Sequence, residues 1–200
     1  MYESANYPTD PAAVDAFVAE ARHGTLIATP AGGSPQVSLL PFVKTGDVIE
    51  LHCVQADPTF AAVQANPRVT FLVSDFLAFQ PHDWIDAKNA GRATLHFRAV
   101  AFEGMATVST EPADVAAALA NLLRAYEPSE SYEPIADNPY YGDRLRRLAT
   151  IRIAITATHA KFKAGPAGTA ELKRDVAERL RARAEPNDGR AADVIEQYLR

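Results

Sequence analysis

Residues 25–54 constrain most tightly what this chain can become. TLIAT, QVSLLPFV and VIELHCV are three β-rich runs joined by the turns PAGGSP and KTGD. A parallel crossover takes about a dozen residues or more, so connections this short make neighbouring strands antiparallel. The expected arrangement is an antiparallel meander. RVTFLVSDFLAF and ATLHFRAVAFEGMATV add further β-rich stretches. TIRIAITATHAKF alternates Ile151, Ile153 and Ile155 against Arg152, Ala154 and Thr156, as a half-buried strand does.

Helices punctuate the strands. In TDPAAVDAFVAEARHGTL, Asp10 suits the N-cap and Pro11 the first helical position, and Val14, Phe17, Val18 and Ala21 share a face before Gly24. ADPTFAAVQANP repeats this logic with Asp57 and Pro58, turns Phe60 and Val63 inward, and stops at Asn66-Pro67. TEPADVAAALANLLRAYEP carries Pro112 in its first turn and the stripe Val115, Leu119, Leu122, Leu123; DRLRRLA is a shorter helical patch. The last thirty residues read as one or two exposed helices split by EPNDG, and QPHDWIDAKNAGR as a loop long enough to fold over a pocket. Together these segments predict a mainly β protein, a small antiparallel barrel with peripheral helices and a helical C-terminal segment.

Composition narrows the function classes. A chain of 200 residues that is 48% hydrophobic can build one good core. No apolar run nears the roughly 20 residues of a membrane span, and MYESANYPTD has neither a basic nor an apolar leader region. A lone cysteine, Cys53, excludes an internal disulfide and a multi-cysteine zinc site, which fits a cytoplasmic location. A net charge of −5 argues against coating nucleic acid electrostatically. The charge is uneven, with eleven Lys/Arg against four Asp/Glu from Asp143 to Arg183; this segment suits a solvated helix face with local ion pairs, or a phosphate or acidic partner.

In VIELHCV the period of two puts Ile49, Leu51 and Cys53 on a core face and Glu50 and His52 on the other. His52 lies just before the Asp57 cap, where a helix N-terminus attracts anions, although Pro58 removes one N–H and Asp57 fills the cap. A structural cap and a ligand role both stay open there. In ATLHFRAVAFEG the alternation aligns Thr94, His96 and Arg98, a row suited either to an anionic ligand or to a sheet face open to water or a second subunit. Trp84 either lids an aromatic ligand or pins its loop. The histidines lack zinc-binding spacing, and there is no GxSxG, GxGxxG or Walker loop. No residue is identifiable as catalytic.

Taken in order, these segments resemble the PaiB-type FMN-binding negative transcriptional regulators, a branch of the FMN-binding split barrels related to pyridoxamine phosphate oxidase. HGTLIAT is similar to FGTLVT, VSLLP to THLP, HCVQADPTF to HLARANPQW, VTFLVSDFLAFQPHDW to VLVIFQGPHAYISPSW, and ATLHFRAVAFEG to PTWNYVAVHAYG. The resemblance implies that His52, Gln55, Asp57 and Pro58 lie near FMN, that Thr94 and His96 approach it on another strand, and that a homodimer completes the site. Ser38 is the polar remnant of THLP, where Leu39 replaces the histidine. Gln55 replaces an arginine, DFL at 75–77 stands where the family has GPH, and KAGPA from Lys163 stands where it has KLSQN. The phosphate therefore needs other cations, with Arg98, Lys161 and Lys163 as candidates.

The resulting expectation is a cytoplasmic, homodimeric, FMN-binding split barrel with regulatory or flavin-dependent oxidoreductase character. Residues 1–165 form the barrel domain, and 166–200 form a helical extension packed on it or on the partner subunit. The alternatives are a flavin-free regulatory or interaction module and a haem-binding relative with His52 or His96 as axial ligand. With no helix-turn-helix pattern, direct nucleic-acid binding is not expected.

Overall fold

The computed structural model describes residues 1, 7, 9–127, 129 and 131–199. Among them run seven strands: β1 (Gly24–Ala28), β2 (Gln36–Leu40), β3 (Val43–Thr45), β4 (Val48–Val54), β5 (Arg68–Gln80), β6 (Thr94–Ser109) and β7 (Leu148–Lys163). The helices are α1 (Pro11–Glu20), α2 (Pro58–Ala65), α3 (Pro112–Tyr126), α4 (Gly142–Leu145), α5 (Ala170–Arg183) and α6 (Asp188–Gln197). The loop 81–93 is pinned by two 3-10 turns, His82–Trp84 and Ala90–Arg92.

The strands form one sheet in the order β2-β1-β5-β6-β7-β4-β3. This corrects the expected meander. QVSLLPFV is not one strand but two, broken at Pro41, whose ring fixes φ and whose nitrogen has no hydrogen to donate. β2 pairs back on β1, with Leu26 opposite Ser38, while β3 turns at Gly46 (φ +56) and pairs forward on β4. The two terminal strands of the order are thus joined only through Pro41 and Phe42, as in a sheet closing on itself. Tyr126 secures this link. Its hydroxyl lies 2.6 Å from the Arg22 carbonyl oxygen and accepts from the Phe42 N–H at 3.3 Å.

The chain divides into two compact units. In the unit of Asp15–Val73 and Ala101–Thr158, the inward faces supply Leu26, Ile49, Leu51, Phe102, Ile151 and Ile153, each almost fully buried. β4 and β7 pair antiparallel with Leu51 opposite Ile151 and Ile49 opposite Ile153, which brings the two alternating segments into phase. Gly104 is required where β6 passes β7. A Cβ there would lie 2.5 Å from Ile153 Cγ2 and 2.6 Å from the Ala154 carbonyl oxygen. A smaller cluster joins Val115 and Ala116 of α3 to Leu145 of α4.

In the unit of Met1–Val14, Ser74–Val100 and His159–Arg200, Leu77 and Ala78 of β5 share a core with Val176 and Leu180 of α5 and Ala191 and Ile195 of α6. The last helices are therefore not simply exposed. Each is amphipathic, with a narrow alanine-rich inner stripe hidden in the sequence by the many charges on its outer face. Arg183 fastens them. It bonds both oxygens of the buried Asp188 at 2.6 and 2.7 Å, donates to the Phe79 carbonyl at 2.9 Å, and lies 5.1 Å from the Trp84 ring centre. Trp84 accordingly pins its loop to the helical extension. Among the described residues no helix is long and apolar enough to cross a membrane.

Candidate functional site

The residues expected at a cofactor fall into two groups, one in each unit. In the first unit, β2 carries Ser38, β4 carries His52, and the turn into α2 carries Gln55 and Asp57. Asp57 is the N-cap of α2, accepting from the Thr59 N–H at 2.8 Å, and Pro58 opens the helix. The Ser38 hydroxyl donates to Asp57 at 2.9 Å and lies 2.7 Å from the Thr59 hydroxyl. Burial opposes ionisation of Asp57, but the bonds from the Thr59 backbone, Ser38 and the Thr59 hydroxyl outweigh it and hold the carboxyl below its usual range. The Thr59 and Phe60 N–H groups of this turn are thus both taken up by Asp57.

Gln55 is equally committed. Its side-chain amide donates to the Arg146 carbonyl at 3.0 Å and the Leu148 carbonyl at 2.8 Å, while its backbone N–H donates to Arg147 at 2.9 Å. A glutamine here fastens the entry to β7. His52 is half-buried. Desolvation lowers its pKa, so the imidazole is neutral at physiological pH, and its side chain has no hydrogen-bond partner among the described residues. Cys53, on the opposite face, is buried, and burial with the nearby Asp57 charge pushes its thiol up to about 11.

In the second unit the row Thr94, His96, Arg98 faces inward, with His96 fully buried and Arg98 only 4% exposed. A face open to water or to another subunit is therefore excluded. Arg98 donates to Asp75 through its backbone N–H at 3.1 Å, Nε at 3.2 Å and Nη2 at 2.8 Å; Arg190 of α6 adds a bond to the same carboxylate. Burial disfavours the Arg98 cation, but the bonds and charge of Asp75, helped by Tyr198, raise its pKa overall. Its charge is spent within the protein.

His96 Nε2 lies 3.2 Å from Gln80 Oε1, and Gln80 Nε2 donates to the Arg92 carbonyl. That orientation of the amide puts the ring proton on Nε2 and leaves Nδ1 a bare acceptor, fully buried and without a partner of hydrogen-bonding geometry. Desolvation and the Lys163 charge pull the imidazole down to about 4, against a weaker opposing pull from the Lys163 backbone. Lys163 ends β7 with its amine on the Thr94 hydroxyl and 5.9 Å from the Tyr7 ring centre; no carboxylate pairs with it among the described residues. Burial and the neighbouring Lys161 lower its pKa.

Sequence reasoning missed Asp75, Gln80, Tyr7 and Arg190. DFL at 75–77 reads as a lost GPH, yet Asp75 neutralises Arg98 and Leu77 enters the core under α5 and α6. The only local hint is that both novelties lie in one triplet. Among the described residues no group of three His, Cys, Asp or Glu is placed to hold a metal.

A family model described as "Putative FMN-binding domain" matches residues 1–157. The chain belongs to that family, the PaiB-type one. A comparison with curated proteins returns no match. Among solved structures, the flavocytochrome Anf3 from Azotobacter vinelandii is similar at 20% identity and a TM-score of 0.64, over 80% of this chain and 70% of that one. An FAD- and haem-binding protein from Mycobacterium smegmatis is 17% identical with a TM-score of 0.64, over 86% and 80%. The conserved hypothetical protein Rv2991 from Mycobacterium tuberculosis is 20% identical with a TM-score of 0.58, over 82% and 91%. At these identities the likeness is one of fold, and the fold of this FMN-binding-domain chain is the split barrel.

The two groups fit FMN unequally. Around α2, Ser38, Gln55 and Asp57 are engaged within the chain and the Asp57 carboxylate fills the cap, so that turn is poorly suited to a phosphate of nearly two negative charges. In the second unit, an ammonium with no carboxylate partner among the described residues and a hydroxyl do suit an anionic ligand, whereas His96 Nδ1, an acceptor, suits a donor group of the ligand instead.

Proposed function

We propose that this chain is an FMN-binding protein acting as a homodimer, with residues 1–165 as its flavin-binding barrel and 166–200 as a helical extension. The observation that carries this reading is the inward polar row of β6, where His96 Nδ1 is buried without a partner. Buried polar atoms are almost always satisfied, so an orphan one marks a place where something outside the chain completes the chemistry. Membership of the FMN-binding-domain family supports a flavin in that place.

FMN, when bound, supplies the redox chemistry; the chain's part is to hold the phosphate, orient the ring and exclude water. Direct DNA contact is not part of the reading. Arg179, Arg181 and Arg183, the basic cluster most available for it, each carry a carboxylate partner: Asp175, Asp193 with Glu196, and Asp188.

The test is the absorbance spectrum of the freshly purified protein, then titration of FMN followed by quenching of its fluorescence. A flavin's visible bands or saturable quenching support the reading. A colourless protein that leaves FMN fluorescence unchanged overturns it in favour of a flavin-free module.

One observation favours haem as a second reading. His52 is neutral, half-buried and without a side-chain hydrogen bond among the described residues, which leaves a ring nitrogen able to ligate iron, whereas His96 Nε2 is engaged by Gln80. Haem addition is then expected to give a Soret band that His52→Ala abolishes and His96→Leu retains.

A further inference from the structure

FMN and riboflavin differ only by a phosphate, so a chain that selects FMN needs a cation with charge to spare. The cations near the expected ligands differ in how much charge the fold has left them. Arg98 and Arg190 share Asp75, and Arg183 is consumed by Asp188 and the Phe79 carbonyl. Arg146 is held between Asp137 and Asp143. At Gln55, where the family resemblance places an arginine, an amide fastens two backbone carbonyls.

Lys163 is different. Its partners are a hydroxyl and an aromatic face, neither of which neutralises an ammonium. Lys161 lies two residues away on the same face of β7, so the positive potential of one lysine is added to that of the other. Lys163 is held in place by Thr94 on one side and by Tyr7 on the other, and the Tyr7 hydroxyl is itself bonded to the Ala167 backbone. A cation fixed in position, with no counter-ion among the described residues, costs little further ordering when an anion arrives.

We infer that Lys163, positioned by Thr94 and Tyr7, is the cation that receives the ligand's phosphate and makes the protein select FMN over riboflavin. The inference rests on the FMN reading above and relocates the phosphate contact to the end of β7, outside the residues 1–157 that the family model covers. Thr94 contributes twice, orienting the ammonium and offering its own hydroxyl.

The experiment is a pair of titrations, FMN and riboflavin, on the full chain and on Lys163→Gln, Lys163→Arg and Gln55→Ala, each followed by flavin fluorescence and checked for folding by circular dichroism. The wild type is expected to prefer FMN by about tenfold to a hundredfold, the range of a charge-assisted contact. Lys163→Gln is expected to bring FMN affinity down to that of riboflavin while leaving riboflavin unchanged. Lys163→Arg keeps part of the preference, and Gln55→Ala keeps all of it. A wild type without preference, or a Lys163→Gln protein that retains it, overturns the inference. Binding of neither flavin removes the FMN reading itself, and inorganic pyrophosphate then decides the anion site alone. Thermal stabilisation of the wild type and not of Lys163→Gln upholds Lys163 as an anion receptor; no stabilisation refutes it.

Discussion

The polar cluster around Asp57 and the one around Lys163 are built from similar materials, yet the fold leaves them with opposite capacities. At Asp57 a carboxylate, two hydroxyls and the Thr59 N–H bond one another. At Lys163 an ammonium and a hydroxyl meet beside an imidazole without a counter-charge among the described residues, and one nitrogen of the imidazole has no hydrogen bond among them. What a polar residue can do for a ligand depends on what remains after the fold has taken its share. By that measure the α2 turn, where the sequence resemblance points most clearly, is structural, and the end of β7 is receptive.

The strongest test of this contrast removes a partner that the fold has consumed. Asp75→Asn leaves the buried Arg98 guanidinium without its counter-charge, and stability is expected to fall by about 3 kcal/mol, read by urea or thermal unfolding. A loss well under 1 kcal/mol would return Arg98 to the list of cations free for a ligand.

Next comes the imidazole. With the folded pKa of His96 at about 4 and the unfolded value near 6.5, the unfolded chain binds more protons between these limits. Stability therefore rises with pH across that window and is fully present above it, the integrated change being about 3 kcal/mol. His96→Leu is expected to flatten this limb of the stability profile. A variant with the wild-type slope would show that other groups carry it.

A smaller effect belongs to the closed cluster. Asp57→Ala removes the α2 cap and is expected to cost about 1 kcal/mol while leaving any FMN-over-riboflavin preference intact. Loss of that preference would move the ligand back to α2. Smallest of all is Arg181→Ala, which breaks exposed pairs to Asp193 and Glu196 and is expected to leave the melting temperature unchanged within error.

Much of the fold was legible because it is local. The Asp57-Pro58 start of α2, the period-two faces of β4 and β7, and the alignment of Thr94, His96 and Arg98 on one face of β6 all follow from neighbours in the chain, whereas the inward direction of that row does not. What escaped depends on distant choices. QVSLLPFV has strand-forming residues throughout, and its division at Pro41 becomes visible only when β2 and β3 are seen to take different partners. Arg98 looked like a free cation because its acid, Asp75, lies 23 residues back. The inner faces of α5 and α6 are short, three apolar residues on α5 and four on α6 with alanines among them, and do not stand out among arginines and acids until Leu77 and Ala78 are placed against them. The candidate site was legible in its residue types, but not in which of them the fold would use up.

The pairing of β4 with β7 has a consequence for how this protein is made. Thr150 bonds the carbonyl of Leu51 across a separation of 99 residues, and the whole length of β4 is paired in this way. At about 5–20 residues per second, the ribosome exposes that strand for several seconds or more before its mate exists. During that interval the β3–β4 hairpin has one unpaired edge and an apolar face of Ile49, Leu51 and Cys53 with nothing to bury it. Nascent chains stalled before residue 148 should therefore be the species most dependent on chaperones, and full-length chains should lose that dependence once β7 has emerged.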